Sequence, residues 1–220
     1  MTTSQLFSSF LNINCYSIFK FLAYYFLTLI SLRILRLKIW KEKSIMIVLG
    51  SGGHTGEILI MLKKLKLDKF SKVFFVSSHN DLRSEGKAKE VLNLDESQIK
   101  KNKNIKFLKI YRSRNVGQSF LSSIFTSSYS MMQSIFIILK TRPNLIVTNG
   151  PGVAIPLVYI GYILNKLLIL SEFKILFIES YCRTKSLSLS GKLIQPIADK
   201  FIVLWKDLVS NKREYLGKIL

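Results

Sequence analysis

The run Ile45-Met46-Ile47-Val48-Leu49 ends abruptly in Gly50-Ser51-Gly52-Gly53-His54-Thr55-Gly56-Glu57, with four glycines in seven positions. Apolar residues then recur at Ile58, Met61, Leu62 and Leu65, the spacing of a helix. An aliphatic strand, a glycine turn and a helix make one βα unit of an α/β sheet. Such a turn can floor a phosphate site, because glycine admits a close backbone approach and the following helix points its free N–H groups at the anion. No Gly-Lys-Ser/Thr follows at Walker spacing, and Thr55 stands where a dinucleotide fingerprint has its third glycine. A tight turn with no ligand is the simpler alternative.

The same alternation continues along the chain. Strand-like runs fall at 44–49, 72–77, 105–111, 145–148, 174–178 and 201–204, with helical patterns at 55–67, 84–92, 117–140, 153–168 and 189–198. Strands separated by helix-length segments predict a Rossmann-like parallel sheet covered on both faces. Ligands of such sheets bind outside the carboxyl ends of the strands. The stretch Gly117–Leu139 carries no charge, yet its many hydroxyls fit a crossover helix against the sheet better than a membrane span.

Residues 1–43 read differently. From Leu6 to Leu32 the only charged residue is Lys20, and Arg33, Arg36, Lys38, Lys41 and Lys43 follow against Glu42 alone. About 20 apolar residues span a bilayer, and basic residues on the C-terminal flank orient that flank to the cytosol. A single-pass membrane helix is expected, with a helix lying in the interface as the alternative. The flank preceding the apolar core lacks the basic residues of a cleaved signal peptide.

Four strand ends carry chemistry. At the first, a neutral His54 can accept a proton from an attacking hydroxyl, and Glu57 is either a partner to it or a first-turn acid of the helix. The third offers Arg112 and Arg114, whose forked guanidinium groups suit a diphosphate, or else a solvated basic turn. The fourth, Thr148-Asn149-Gly150-Pro151-Gly152, is a second glycine turn opening a helix. The fifth places Glu179 where a carboxylate can bind sugar hydroxyls, or pair with Arg183. Cys15 and Cys182 are the only cysteines, which excludes a disulfide framework and a four-thiolate metal site and suits a reducing compartment. No metal and no cofactor are expected.

These motifs together resemble the membrane-anchoring subunit of the dolichol-pathway UDP-N-acetylglucosamine transferase, the asparagine-linked glycosylation fourteen family. The resemblance runs through Gly50–Glu57, Arg112-Ser113-Arg114 with Val116–Ser119, and Asn149–Gly152. It goes on through Glu179-Ser180 with Arg183, Ser190–Leu193, and Ala198–Phe201 with Trp205. That family is similar to the N-terminal half of the two-domain, GT-B-type glycosyltransferases that make bacterial lipid-linked peptidoglycan precursors. It implies transfer of N-acetylglucosamine from UDP-N-acetylglucosamine to N-acetylglucosaminyl-diphosphodolichol on the cytosolic face of the endoplasmic reticulum. This chain would supply the anchor and the acceptor side. A separate small subunit, the thirteen protein of the same pathway, would bind the nucleotide sugar, leaving this chain inactive alone.

By the resemblance, His54, Glu57 and Glu179 become the catalytic candidates. Gly50, Ser51, Gly52, Gly53, Thr55, Gly56, Arg112, Arg114, Asn149, Gly150 and Gly152 become contacts of the acceptor and its diphosphate. The family pattern carries a proline and an acid where this chain has Tyr111 and Asn115. Length agrees: 44–220 has room for one nucleotide-binding half at ordinary domain sizes. Within it, 44–204 reads as the acceptor-side domain, and 205–220 as a docking element for the second subunit or an amphipathic helix on its own domain.

Two other classes compete. A membrane-tethered nicotinamide-dependent oxidoreductase needs a third loop glycine and an acid at the second strand end, where Asp81 stands several residues late. A basic membrane scaffold would explain a net charge of +20, from 33 Lys+Arg against 13 Asp+Glu. That excess is spread along the chain with no Arg-rich or aromatic RNA-binding signature, so nucleic acid is not an expected partner.

Overall fold

The computed structural model describes residues 15–39, 43–63, 65, 67–94, 104–112, 120–167, 169–170 and 172–217. They fall into two units, divided after Lys41.

The first unit is one helix, α1 (Cys15–Ile39). Its large apolar side chains, among them Phe19, Phe21, Leu22, Tyr24 and Leu27, are exposed on all sides of its axis rather than along one stripe. Among the described residues no helix is long and apolar enough to cross a membrane.

The second unit is a parallel α/β sheet. Its strands are β1 (Ser44–Val48), β2 (Lys72–Ser78), β3 (Ile105–Ile110), β4 (Leu145–Thr148), β5 (Lys174–Ile178), β6 (Lys200–Val203) and β7 (Glu214–Tyr215). The helices between them are α2 (Gly53–Lys63), α3 (Arg83–Val91), α4 (Phe120–Thr141), α5 (Ala154–Lys166) and α6 (Leu189–Ile194). Strand order is β3-β2-β1-β4-β5-β6-β7, every pair parallel. This is the expected Rossmann-like sheet, with a seventh strand added.

Because side chains alternate along a strand, β1 feeds two cores. Met46 and Val48 join Phe74, Val76, Ile146 and Phe177 beneath α4 and α5, while Ile45 and Ile47 join Phe75, Ile58, Leu59 and Ala88 beneath α2 and α3. Burial on both faces explains why β1 reads as an unbroken apolar run. The chain changes face between β3 and β4, so β1 and β4 become neighbours whose following helices, α2 and α5, lie on opposite faces of the sheet, with a crevice at the strand ends. That crevice is where such sheets bind ligands.

Helix α4 packs on the sheet and on α5 as expected, burying Ser130, Ser134 and Ile138, but leaves Phe125, Met132 and Phe136 exposed. Helix α6 stops at Ile194, short of the expected 198, because Pro196 cannot continue the hydrogen-bond ladder. The segment after Trp205 forms a 3-10 turn (Lys206–Leu208) and then pairs Glu214-Tyr215 with β6. A short strand therefore stands where an amphipathic helix was one expectation.

Candidate functional site

The two glycine turns meet at the crevice. A Cβ placed on Gly50 would lie 2.7 Å from Pro151 Cβ and 2.8 Å from His54 Cβ, so only glycine allows the β1 and β4 turns to touch. Gly150 sits at φ +92, a conformation that favours glycine, and Phe177 closes over it. Gly53, Gly56 and Gly152 have open space at the Cβ position and no such backbone demand.

Ser51, His54 and Arg112 come together in one cavity of about 260 Å³, floored by Gly50, Gly150, Pro151 and Gly152. Arg112, just past β3, reaches across to donate from Nη2 to Ser51 Oγ at 2.8 Å. Only part of its donor fork is used, which leaves N–H groups for an anion. His54 is half-buried in the first turn of α2, and its Nδ1 is buried without a hydrogen-bond partner. Arg114 and Asn115 lie outside the described residues.

Other expected contact residues support the turns from behind. Thr55 is fully buried, and its hydroxyl donates to the Gly50 carbonyl and lies 2.7 Å from Ser84 Oγ. Asn149, also fully buried, donates from Nδ2 to the His54 carbonyl at 2.7 Å and to Glu57 Oε2 at 3.2 Å. Glu57 Oε1 accepts the Ser180 hydroxyl at 3.0 Å. The ends of β1, β4 and β5 are thereby fastened through one carboxylate.

Glu179 is fully buried and does not line the cavity. Its Oε1 accepts the Ser180 N–H at 3.0 Å, and Oε2 accepts the Ser188 N–H at 3.0 Å and the Ser188 hydroxyl at 3.2 Å. Ser188 Oγ in turn caps α6 by accepting Gly191 N–H at 2.9 Å. No ion pair joins Glu179 to Arg183. The acid expected to face a sugar accepts three donors here and fastens the loop after β5.

The end of β2 contributes residues that sequence reasoning passed over. Ser78 lines the cavity beside Arg112, and its hydroxyl is buried without a partner. Asp81, considered as a ribose ligand, instead accepts the Ser84 N–H at 3.0 Å and its hydroxyl at 2.5 Å. That pairing locks the start of α3. Among the described residues no group of three or more His, Cys, Asp or Glu is placed to hold a metal ion.

Residues 45–219 match the family model described as "Oligosaccharide biosynthesis protein Alg14 like". The chain belongs to the Alg14-like family. It is 41% identical over 185 residues to "UDP-N-acetylglucosamine transferase subunit ALG14" of Candida albicans, covering 83% of this chain and 81% of the relative. The mouse protein of the same name is 38% identical over 184 residues, covering 80% of this chain and 82% of its own. Among solved structures, Acinetobacter baumannii MurG is similar in fold, with a TM-score of 0.55 at 14% identity, over 79% of this chain and 45% of that one. The chain thus spans less than half the length of that structure. With the Alg14-like family established, the glycine turns and Arg112 are the features of the family resemblance that the fold brings into one cleft.

Proposed function

We propose that this chain is the acceptor-side subunit of a UDP-N-acetylglucosamine transferase. It adds the second N-acetylglucosamine to N-acetylglucosaminyl-diphosphodolichol during assembly of the lipid-linked oligosaccharide for protein N-glycosylation. A separate nucleotide-sugar-binding subunit completes the enzyme, and the chain is inactive alone. The observation that carries the reading is the convergence of both glycine turns, His54 and Arg112 on one cleft at the switch point of the sheet. Family membership and the printed names of the relatives support the transferase-subunit role.

In this reading Arg112 holds the anionic head of the acceptor, and the glycine turns border its sugar. His54 takes the proton of the attacking sugar hydroxyl as the new glycosidic bond forms and UDP leaves from the other subunit. Glu57, Glu179 and Asn149 position the turns rather than touch the sugar. Arg114 joins Arg112 on the diphosphate. The segment 205–220 docks the second subunit, with β7 as the sheet edge it presents.

The chain is held at the endoplasmic reticulum membrane, with its sheet domain cytosolic. A helix apolar on all sides suits lipid rather than water, and α1 ahead of Arg33 carries Lys20 as its only charge. The apolar stretch also begins at Leu6, before the described residues. Retention in the pellet after alkaline carbonate is expected, and release would contradict spanning.

The test of function is transfer from labelled UDP-N-acetylglucosamine to a phytanyl-diphosphate-linked N-acetylglucosamine. Activity is expected only when this chain and the nucleotide-sugar-binding subunit are mixed, and is lost with folded His54→Ala. No transfer in the mixture, with a second subunit competent beside another anchoring chain, refutes the reading.

A further inference from the structure

Beyond the cleft of the two glycine turns lies a second cavity of about 430 Å³ at the ends of β1, β2 and β3. Ser51, Ser78 and Arg112 line both cavities, and the Arg112–Ser51 hydrogen bond divides them. Its wall carries Arg112 and, one turn apart on α3, Arg83 and Lys87, against Asp81 as the one acid that lines it. Neither Arg83 nor Lys87 has an ion-pair partner among the described residues. The nearby acids are already occupied. Asp81 is turned onto Ser84, and Glu85 pairs with Lys89 at 3.1 Å and Lys109 at 3.3 Å.

Two further features point to an anion here. The start of α3 brings the positive end of a helix to the cavity, with its Ser84 N–H already taken by Asp81. Ser78 is 5% exposed, and its hydroxyl has no hydrogen-bond partner. A buried hydroxyl without a bond costs free energy unless something else uses it.

A third compartment lies beside the first two. Arg112 and Asn80 also border an apolar hollow of about 350 Å³ walled by Tyr111, Phe125 and Tyr129. The aromatic rings pack on one another, Tyr111 against Tyr129 at 5.2 Å and against His79 at 4.8 Å. Ser130 Oγ donates to the Tyr111 carbonyl at 3.0 Å, and the Tyr111 N–H donates to Gln133 Oε1 at 2.9 Å. Helix α4 therefore holds the hollow and Arg112 in fixed relation. A polar cavity beside His54, a cationic cavity and an apolar hollow thus lie side by side around one arginine.

We propose that the Ser78–Arg83–Lys87 cavity is the seat of the acceptor's diphosphate, with the sugar in the turn cleft at His54 and the first isoprene units over Tyr111 and Phe125. This rests on the acceptor-side reading and adds the direction in which the acceptor lies. A nucleotide sugar has the same order of sugar and diphosphate, with a uracil ring where the lipid has its isoprene, so the two KM values below separate the sources.

The test uses the assembled two-subunit enzyme and the Arg83→Ala/Lys87→Ala double variant. Loss of two charge-assisted contacts raises the KM for the phytanyl-linked acceptor by about ten-fold or more. The KM for UDP-N-acetylglucosamine stays within about two-fold. Inorganic diphosphate competes with the acceptor in the wild-type enzyme and loses about ten-fold in potency in the variant. Both side chains are exposed and have no ion-pair partner among the described residues, so the unfolding midpoint stays within about 3 °C. Ser78→Ala gives a second route: it removes no internal hydrogen bond, so stability holds while the acceptor KM rises. An unchanged acceptor KM in the folded variants overturns the inference while wild-type transfer keeps the acceptor-side reading. A rise confined to the UDP-N-acetylglucosamine KM assigns the cavity to the nucleotide and overturns it equally. Absence of transfer by the wild-type pair overturns the reading and the inference together.

Discussion

Replacing Gly50 by alanine probes the contact on which the cleft depends. The added methyl would lie 2.7 Å from Pro151 Cβ and 2.8 Å from His54 Cβ. Both are anchored directly to backbone, so neither can turn aside as the tip of a flexible side chain can. Reaching an ordinary contact of roughly 3.5 Å requires the β1 and β4 turns to part by about 0.8 Å. The Gly50 carbonyl meanwhile accepts the Thr55 hydroxyl, which resists the movement. Overpacking of this kind costs about 1–3 kcal/mol, an unfolding midpoint lower by roughly 3–10 °C in a chain of this size. Displacement of His54 by a good part of an ångström lowers transfer on the order of 100-fold. Thermal unfolding by circular dichroism and transfer with the second subunit measure the two effects. Gly53→Ala is the control, because a Cβ there meets nothing within 4 Å and the residue opens α2. Wild-type stability and activity in Gly50→Ala would refute the contact argument.

Three further outcomes follow from the same geometry. Glu179→Gln puts an amide NH₂ among three donors, so urea unfolding should show a loss of about 1–3 kcal/mol; a fully stable variant that has only lost turnover would restore Glu179 to the reaction. Asn149→Ala frees the His54 carbonyl and Glu57 Oε2 together and is expected to cost a similar amount, about 1–3 kcal/mol, read by the same method; a wild-type midpoint contradicts it. For Glu85, burial pushes the carboxyl up, but hydrogen bonds and charges from Lys89 and Lys109 outweigh this and hold it below its ordinary value. A lowered folded-state value means the contribution is present above the unfolded carboxylate range and is lost as pH falls through the folded value. The stability advantage of wild type over Glu85→Gln should therefore shrink from neutral pH into acid, and a pH-independent difference would contradict the pairing.

Much of the architecture was legible because the sheet is buried on both faces. Ile45–Leu49, Lys72–Ser77 and Lys174–Ile178 read as strands since each is a short apolar run without helical spacing. β7 was not legible: Glu214-Tyr215 has no apolar run and owes its state to the edge of β6. At the site, Gly50 and Gly150 announced their turns by residue type alone. Ser78, Arg83 and Lys87 gave no such signal, because single cations carry little contrast in a chain with 33 Lys+Arg. Nor does a strand-end acid reveal its direction. Glu179 and Thr55 follow their strands as ligand contacts would, yet both turn inward, since unsatisfied backbone N–H and carbonyl groups nearby compete for them.

The central claim is that this chain carries the acceptor and not the nucleotide sugar. Photolabelling the assembled enzyme with two probes tests it most directly. One is a diazirine-bearing N-acetylglucosaminyl-diphosphate lipid and the other an azido UDP-N-acetylglucosamine. The account expects the lipid probe to label this chain at the cleft peptides around Ser51, Ser78 and Arg112, and the nucleotide probe to label the second subunit. Nucleotide labelling of the cleft, with the lipid probe on the other subunit, would contradict it.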